Sequence, residues 1–121
     1  MSDSLISSRR NPLVKRLRSL SSRKGREDEE LLLFEGTHLL QELIRCNLKP
    51  VELVATERWC QHHLHLLEQL GASTPRRLVT DEVLTAALST TTPDGVACVC
   101  PFNVLPNPPT DVHFLLVLDL S

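Results

Sequence analysis

The chain has 121 residues, 41% hydrophobic and 23% charged, values that exclude a disordered chain and suit one domain of ordinary size. Its net charge of −2 hides an asymmetry, because residues 1–30 carry 8 basic and 5 acidic side chains (+3) while residues 31–121 carry 5 and 10 (−5). A polar N-terminus argues against a signal peptide, no apolar run approaches the roughly 20 residues a bilayer needs, and aromatics are too scarce (Phe34, Trp59, Phe102, Phe114) for a base-stacking platform. The four cysteines (Cys46, Cys60, Cys98, Cys100) lack a disulfide framework's spacing and read as free thiols in a reducing cytoplasm.

Met1 to Ser8 is polar and reads as frayed or loosely attached. From Arg9 to Arg26 the chain carries eight basic residues (Arg9, Arg10, Lys15, Arg16, Arg18, Arg23, Lys24, Arg26) of its 13, and no acidic one. Such concentrated charge is a footprint for a polyanion, most often nucleic acid. Asn11 suits a helix N-cap and Pro12 its first position. Leu13, Leu17 and Leu20 then recur at helical spacing, with Val14 at the edge of the stripe, while Lys15 and Arg18 fall on the opposite face. The segment reads as an amphipathic helix to about Arg23 that docks by its leucines and presents cations outward. A merely solvated helix face, or contact with a membrane or acidic partner, are the competing readings. Gly25 and the run Glu27-Asp28-Glu29-Glu30 predict a solvated loop; shielding of the arginines by that run is the alternative.

Leu31–Phe34, closed by Glu35-Gly36, reads as a buried strand. Thr37 is placed to cap a helix that buries Leu39, Leu40, Leu43 and Ile44 and stops near Asn47. Val51–Ala55 follows as a second strand. Thr56 caps one helix from Glu57 to Leu70, its apolar face built on Leu64, Leu67 and Leu70, with Gly71 as its left-handed stop. Arg77–Val79 is a third strand, and Thr80 or Asp81 caps a helix carrying Val83, Leu84, Ala87 and Leu88. Ser89–Gly95 is a turn-rich loop, and Val96–Cys100 a fourth strand. The alternation of strand and helix predicts a largely parallel sheet covered on both faces. Pro101–Asp111 reads as a Pro-rich linker. His113–Leu120 then reads as the first, uncovered strand of another domain, so the chain is expected to be cut at a domain boundary.

Other chemistry finds little support. Cys60, His62, His63 and His65 invite a metal reading, but a structural zinc wants four ligands, and on a helix His62 and His65 point outward while Cys60 points inward. Cys98 and Cys100 share one face of a strand and read as small packing hydrophobes. His38, Asp81 and Glu82 have no matched partner for acid–base work. Gly25, Gly36, Gly71 and Gly95 are too far apart for a phosphate loop.

Asn11–Leu20 (N-P-L-V-K-R-L-R-S-L), Arg26, Leu33–Gly36 (L-F-E-G), Thr92–Ala97 (T-P-D-G-V-A) and Leu116–Ser121 (L-V-L-D-L-S) together resemble the SpoU-type, or TrmH, RNA ribose methyltransferases. The resemblance covers residues 6–121. It implies an α/β fold, a three-layer α/β/α sandwich similar to kink-turn-binding ribosomal proteins, with a four-stranded central sheet and an N-terminal basic helix. Residues 1–26 would form the basic arm, 27–100 the RNA-binding domain, 101–111 the linker and 112–121 the first strand of a truncated knotted catalytic domain.

The parent enzyme would use S-adenosylmethionine to methylate a ribose 2′-hydroxyl of ribosomal or transfer RNA in the cytoplasm. By the same resemblance the cofactor site, the catalytic residues and any homodimer contact lie in the absent domain, so this chain is expected to hold no cofactor or catalytic residue; the residues themselves argue against a metal. Its partner would be structured RNA, not DNA or membrane, bound by Arg9, Arg10, Asn11, Lys15, Arg18, Arg23, Lys24, Arg26 and the Glu35-Gly36 turn. Arginine chelates phosphate with paired N–H bonds and lysine adds a mobile charge. Free backbone N–H groups after Gly36 would add to the site. Gly36 reads equally as a gap for RNA or as a tight turn needing a permissive dihedral. A kink-turn-type module with no enzyme attached is the rival reading.

Overall fold

A computed structural model describes residues 5–88 and 94–101. The local signals act largely as expected. The side chains of Asn11, Thr56 and Thr80 accept from the amides of Leu13, Trp59 and Val83, and so start α1 (Pro12–Ser19), α4 (Glu57–His62) and α6 (Asp81–Ala87). Each bond satisfies an amide that the first turn leaves without a partner. The strands are β1 (Leu31–Glu35), β2 (Glu52–Thr56), β3 (Arg76–Val79) and β4 (Val96–Pro101). They form one sheet of order β1-β4-β2-β3.

The sheet is mixed, not largely parallel. β2 and β3 are parallel, with Val54 opposite Arg77, but β4 runs antiparallel to both its neighbours, with Phe34 and Leu53 each opposite Cys98. Alternating helices and strands do not reveal whether the loop after a helix retraces its length. Here the chain leaves α6 at Leu88 and re-enters at Asp94, beside the end of the sheet where β1 and β2 finish. There Gly36 N–H donates to the Val96 carbonyl at 2.9 Å and Thr56 N–H to the Gly95 carbonyl at 3.0 Å. β4 must therefore start from that end.

Period-two alternation divides the core between two faces, completing the three-layer sandwich. On one face Leu32, Phe34, Leu53, Ala55, Val96, Cys98 and Cys100 pack under α3 (Thr37–Arg45), α4 and α5 (Leu64–Leu70). On the other, Val54, Val79, Ala97 and Val99 meet Leu13, Val14, Leu17 and Leu20 of the basic segment and Val83, Leu84, Ala87 and Leu88 of the α6 segment. Cys98 and Cys100 do share a face and pack as hydrophobes. Burial holds both thiols protonated, Cys100 up to about 12 and Cys98 well above its ordinary value.

Three helix expectations are corrected. The basic helix, expected to run to about Arg23, ends at Ser19, where the Leu20 N–H turns to the Leu17 carbonyl at 3.1 Å. The helix expected over Glu57–Leu70 breaks at His63, whose ring Nδ1 donates to the Trp59 carbonyl at 2.9 Å. That carbonyl is the one the His63 backbone N–H would need for an unbroken helix, and a side chain that takes it competes with the ladder. The break shifts the phase, so Leu66 joins Leu67 and Leu70 in the core and Leu64 is left 64% exposed. The loop expected from Gly25 through the acidic run is instead mostly helix, α2 (Arg23–Glu29). Ser22 caps it by accepting from Gly25 N–H at 3.1 Å, and Lys24 pairs with Asp28 one turn on.

Gly25 is needed by space. A Cβ there would lie 1.8 Å from the Ser19 carbonyl oxygen. Gly25→Ala is thus expected to destabilise the domain by about 1–3 kcal/mol, the usual cost of overpacking, despite alanine's better helix propensity. Urea unfolding followed by Trp59 fluorescence measures it, and an equal or higher midpoint would contradict the close packing of α2 on the end of α1.

Pro101 closes β4 instead of opening a linker. The remaining linker, 102–111, the strand expected over His113–Leu120, residues 1–4 and residues 89–93 of the turn-rich loop lie outside the described residues.

Candidate nucleic-acid interface

The sheet topology decides where the basic residues go. Ile6 pairs in parallel with Val79 at the finishing end of β3, and Thr80 N–H donates to the Ile6 carbonyl. The chain therefore passes that end of the sheet before turning at Arg9-Arg10 into α1. The Arg16–Glu52 contact shows α1 running back along the face, since Glu52 starts β2. Arg9, Arg10 and Asn11 thus share an end of the sheet with Glu35-Gly36. Lys15 and Arg18 follow on the outward side of α1. Arg23 and Lys24 lie on α2, which leads into the opposite, starting end of β1.

The expected basic residues and Asn11 fall into three groups. Arg9, Arg10, Lys15, Arg18 and Arg23 are exposed and, among the described residues, pair with no carboxylate. They make a cationic track from one end of the domain to the other along α1. Lys24 is exposed but pairs with Asp28 at 3.2 Å, the only contact the acidic run makes with these cations among the described residues. Arg26 and Asn11 serve the scaffold: Arg26 Nη1 donates to the Leu20 carbonyl at 3.2 Å, and Asn11 Oδ1 accepts from Leu13 N–H at 2.9 Å. Glu35 is half-buried at the end of β1, opposite Ala97.

At Gly36 the tight-turn reading holds. Its φ of +108° lies where side chains are strained, and no atom beyond its chain neighbours lies within 4 Å of where a Cβ would stand. The turn demands glycine, and the surface above it is open. The amides that follow are not all free, however. Asp94 Oδ2 accepts from Thr37 N–H at 2.8 Å and from the Thr37 hydroxyl, so this carboxylate, not Thr37, supplies the first anionic contact of α3. Thr37 Oγ1 in turn accepts from Trp59 Nε1 at 2.8 Å, and the Trp59 ring stacks on His63 with centroids 4.5 Å apart. Neither contact was legible beforehand, because they join residues 22 and 57 positions apart.

The Thr37 hydroxyl, then its backbone N–H, hold the Asp94 carboxyl below the usual carboxylate range. A depressed folded-state value stabilises above the unfolded value, about 4, and that contribution is lost as pH falls through the lower folded one. Asp94→Ala is expected to cost about 1 kcal/mol at neutral pH, the scale of a lost helix cap, and less below pH 4. Thermal unfolding at several pH values measures this; a pH-independent cost would remove Asp94's ionised cap.

Among the described residues no three His, Cys, Asp or Glu groups gather as metal ligands. Cys60 is half-buried against the core, its thiol pushed up by burial, while His62 and His65 are exposed on either side of the helix break. No helix among the described residues is long and apolar enough to cross a membrane.

A mixed four-stranded sheet between helical layers is an α/β fold of the kind found in solved RNA methyltransferases. An RNA 2′-O ribose methyltransferase superposes with a TM-score of 0.68 at 20% identity, over 86% of this chain and 38% of that one. The AdoMet-bound rRNA methyltransferase from Sinorhizobium meliloti does so with a TM-score of 0.62 at 20% identity, over 81% and 36%. Residues 11–98 match the model of the MRM3-like substrate binding domain, and the chain belongs to that family. An uncharacterized tRNA/rRNA methyltransferase of Synechocystis sp. is 37% identical over 116 residues, 94% of this chain and 42% of that protein. The chain thus spans about two fifths of the length of the curated relative it matches.

Proposed function

We propose that this chain recruits structured RNA, ribosomal or transfer, for an S-adenosylmethionine-dependent RNA 2′-O-ribose methyltransferase. The observation that carries the reading is the track of Arg9, Arg10, Lys15, Arg18 and Arg23, exposed and without carboxylate partners among the described residues. Membership of a substrate-binding family and relatives named as RNA methyltransferases supply the substrate class. Folded RNA is recognised largely by shape and phosphates, which suits cations fixed on a rigid scaffold.

The AdoMet-bound relative supports the cofactor for the whole enzyme. The glycines of the described residues are isolated from one another, and two clefts among those residues, of about 270 and 370 Å³, are lined mainly by charged, polar and small side chains. We assign the cofactor and the chemistry to the part of the relatives' length that this chain does not span. Free cysteines at all four positions accord with a cytoplasmic location.

Two measurements test the reading. Titrating the chain against a folded transfer RNA at increasing salt should give log affinity falling linearly with log salt, by roughly 0.7–0.9 per phosphate contact. With labelled S-adenosylmethionine the 121-residue chain should transfer no methyl, and a longer chain should. Transfer by the short chain itself, or salt-independent binding, would contradict it.

A further inference from the structure

Glu52 opens β2 ahead of the apolar Leu53, Val54 and Ala55, and its side chain is only 8% exposed. Its two oxygens hold two guanidinium groups from different elements. Oε1 accepts from Arg16 Nη2 of α1, and Oε2 from Arg77 Nε of β3 at 2.7 Å. Neither arginine is sealed in: their side chains are 40% and 55% exposed, enough to meet a ligand in solvent if released. The arrangement is not a fully satisfied structural network either. Arg16 Nε is buried without a hydrogen-bond partner, and two cations share a single anion. Docking of α1 has its own cause in Leu13, Val14, Leu17 and Leu20, all buried.

We propose that Glu52 is a specificity-determining residue of the RNA-binding face: an internal counter-ion that withholds Arg16 and Arg77 from phosphates and confines contact to the track along α1. The proposal rests on the RNA-recruiting reading above. Attraction between charges strengthens as water is excluded, so a half-buried guanidinium on a buried carboxylate is a poor target for a solvated phosphate. Non-specific affinity follows the number of phosphates neutralised, whatever the shape of the RNA. Two more free arginines beside the track would raise the grip on any RNA and dilute recognition by shape.

The test uses the full 121-residue chain, a random-sequence RNA duplex as a shape-neutral probe, and binding measured across a salt series. Glu52→Gln keeps the side chain's size and removes its charge. The expected result is a slope of log affinity against log salt steeper by roughly 1.4–1.8, two phosphate contacts' worth. Arg77→Gln, which leaves the Arg16–Glu52 pair in place, should keep the unaltered slope, because Arg77 is already withheld. An unchanged slope in Glu52→Gln, or weaker binding at the same slope, would overturn the proposal and leave Glu52 a packing residue. So would a slope flattened by about 0.8 in Arg77→Gln, and this variant decides alone if Glu52→Gln fails to fold. Absence of salt-dependent binding by the unaltered chain is a separate outcome, which removes the RNA-recruiting reading and this proposal with it.

Discussion

Replacing Arg9, Arg10, Lys15 and Arg18 together by glutamine is expected to lower RNA affinity about a thousandfold at 0.1 M salt, by the counterion arithmetic below. Each phosphate contact contributes roughly 0.7–0.9 to the slope of log affinity on log salt, so losing four should flatten it by about 3. If the two lines converge near 1 M, a slope difference of about 3 is a factor of about a thousand one decade lower in salt. Stability should hardly move, because all four side chains are exposed and none is paired with a carboxylate among the described residues. Surface substitutions of that kind typically stay within about 0.5 kcal/mol each. The measurement is a salt titration beside a thermal melt. An unchanged slope with an unchanged melt would move the interface off α1 altogether.

That this face was visible in the sequence has a simple cause. Asn11 and Pro12 start a helix by local chemistry, and Leu13, Leu17 and Leu20 orient it by period, so the outward position of Lys15 and Arg18 follows from residues close in the chain. Thr56 and Thr80 fixed two further helix starts in the same way. What could not be read was anything decided at a distance. The direction of β4 depends on Gly36, Thr56 and the Asp94–Thr37 contact, none of which leaves a local pattern. The break at His63 is local, but it depends on one imidazole reaching one carbonyl, and histidine in an apolar helical repeat carries no signal that it will do so.

The basic run shows the same limit. In sequence its eight cations are equivalent. In the fold Arg16 is bound to Glu52, Arg26 to the end of α1 and Lys24 to Asp28, while the rest stay open. The Ser22 cap of α2 was available as a local signal, but Gly25 masked it, since glycine inside a helix is ordinarily read as a breaker. Only the 1.8 Å approach to Ser19 explains why glycine belongs there.

Leu17→Ala gives the complementary result to removing the cations. Leu17 is fully buried, in the apolar cluster that joins α1 to α6 and the sheet. Truncating a buried leucine typically costs about 2–5 kcal/mol, a large share of the roughly 5–15 kcal/mol that stabilises an ordinary domain. The loss falls on the contact that holds α1 down, so the helix should open locally before the rest of the sheet melts. RNA binding must then reorder it, at about 1–2 kcal/mol per backbone residue fixed. Affinity should therefore fall at every salt concentration while the slope stays near that of the unaltered chain, because no cation has been removed. Hydrogen exchange should show faster exchange in Val14–Leu20 than in β2 and β4. A flattened slope, or exchange rising equally across the whole sheet, would mean that α1 is not the separately docked element on which the cationic track depends.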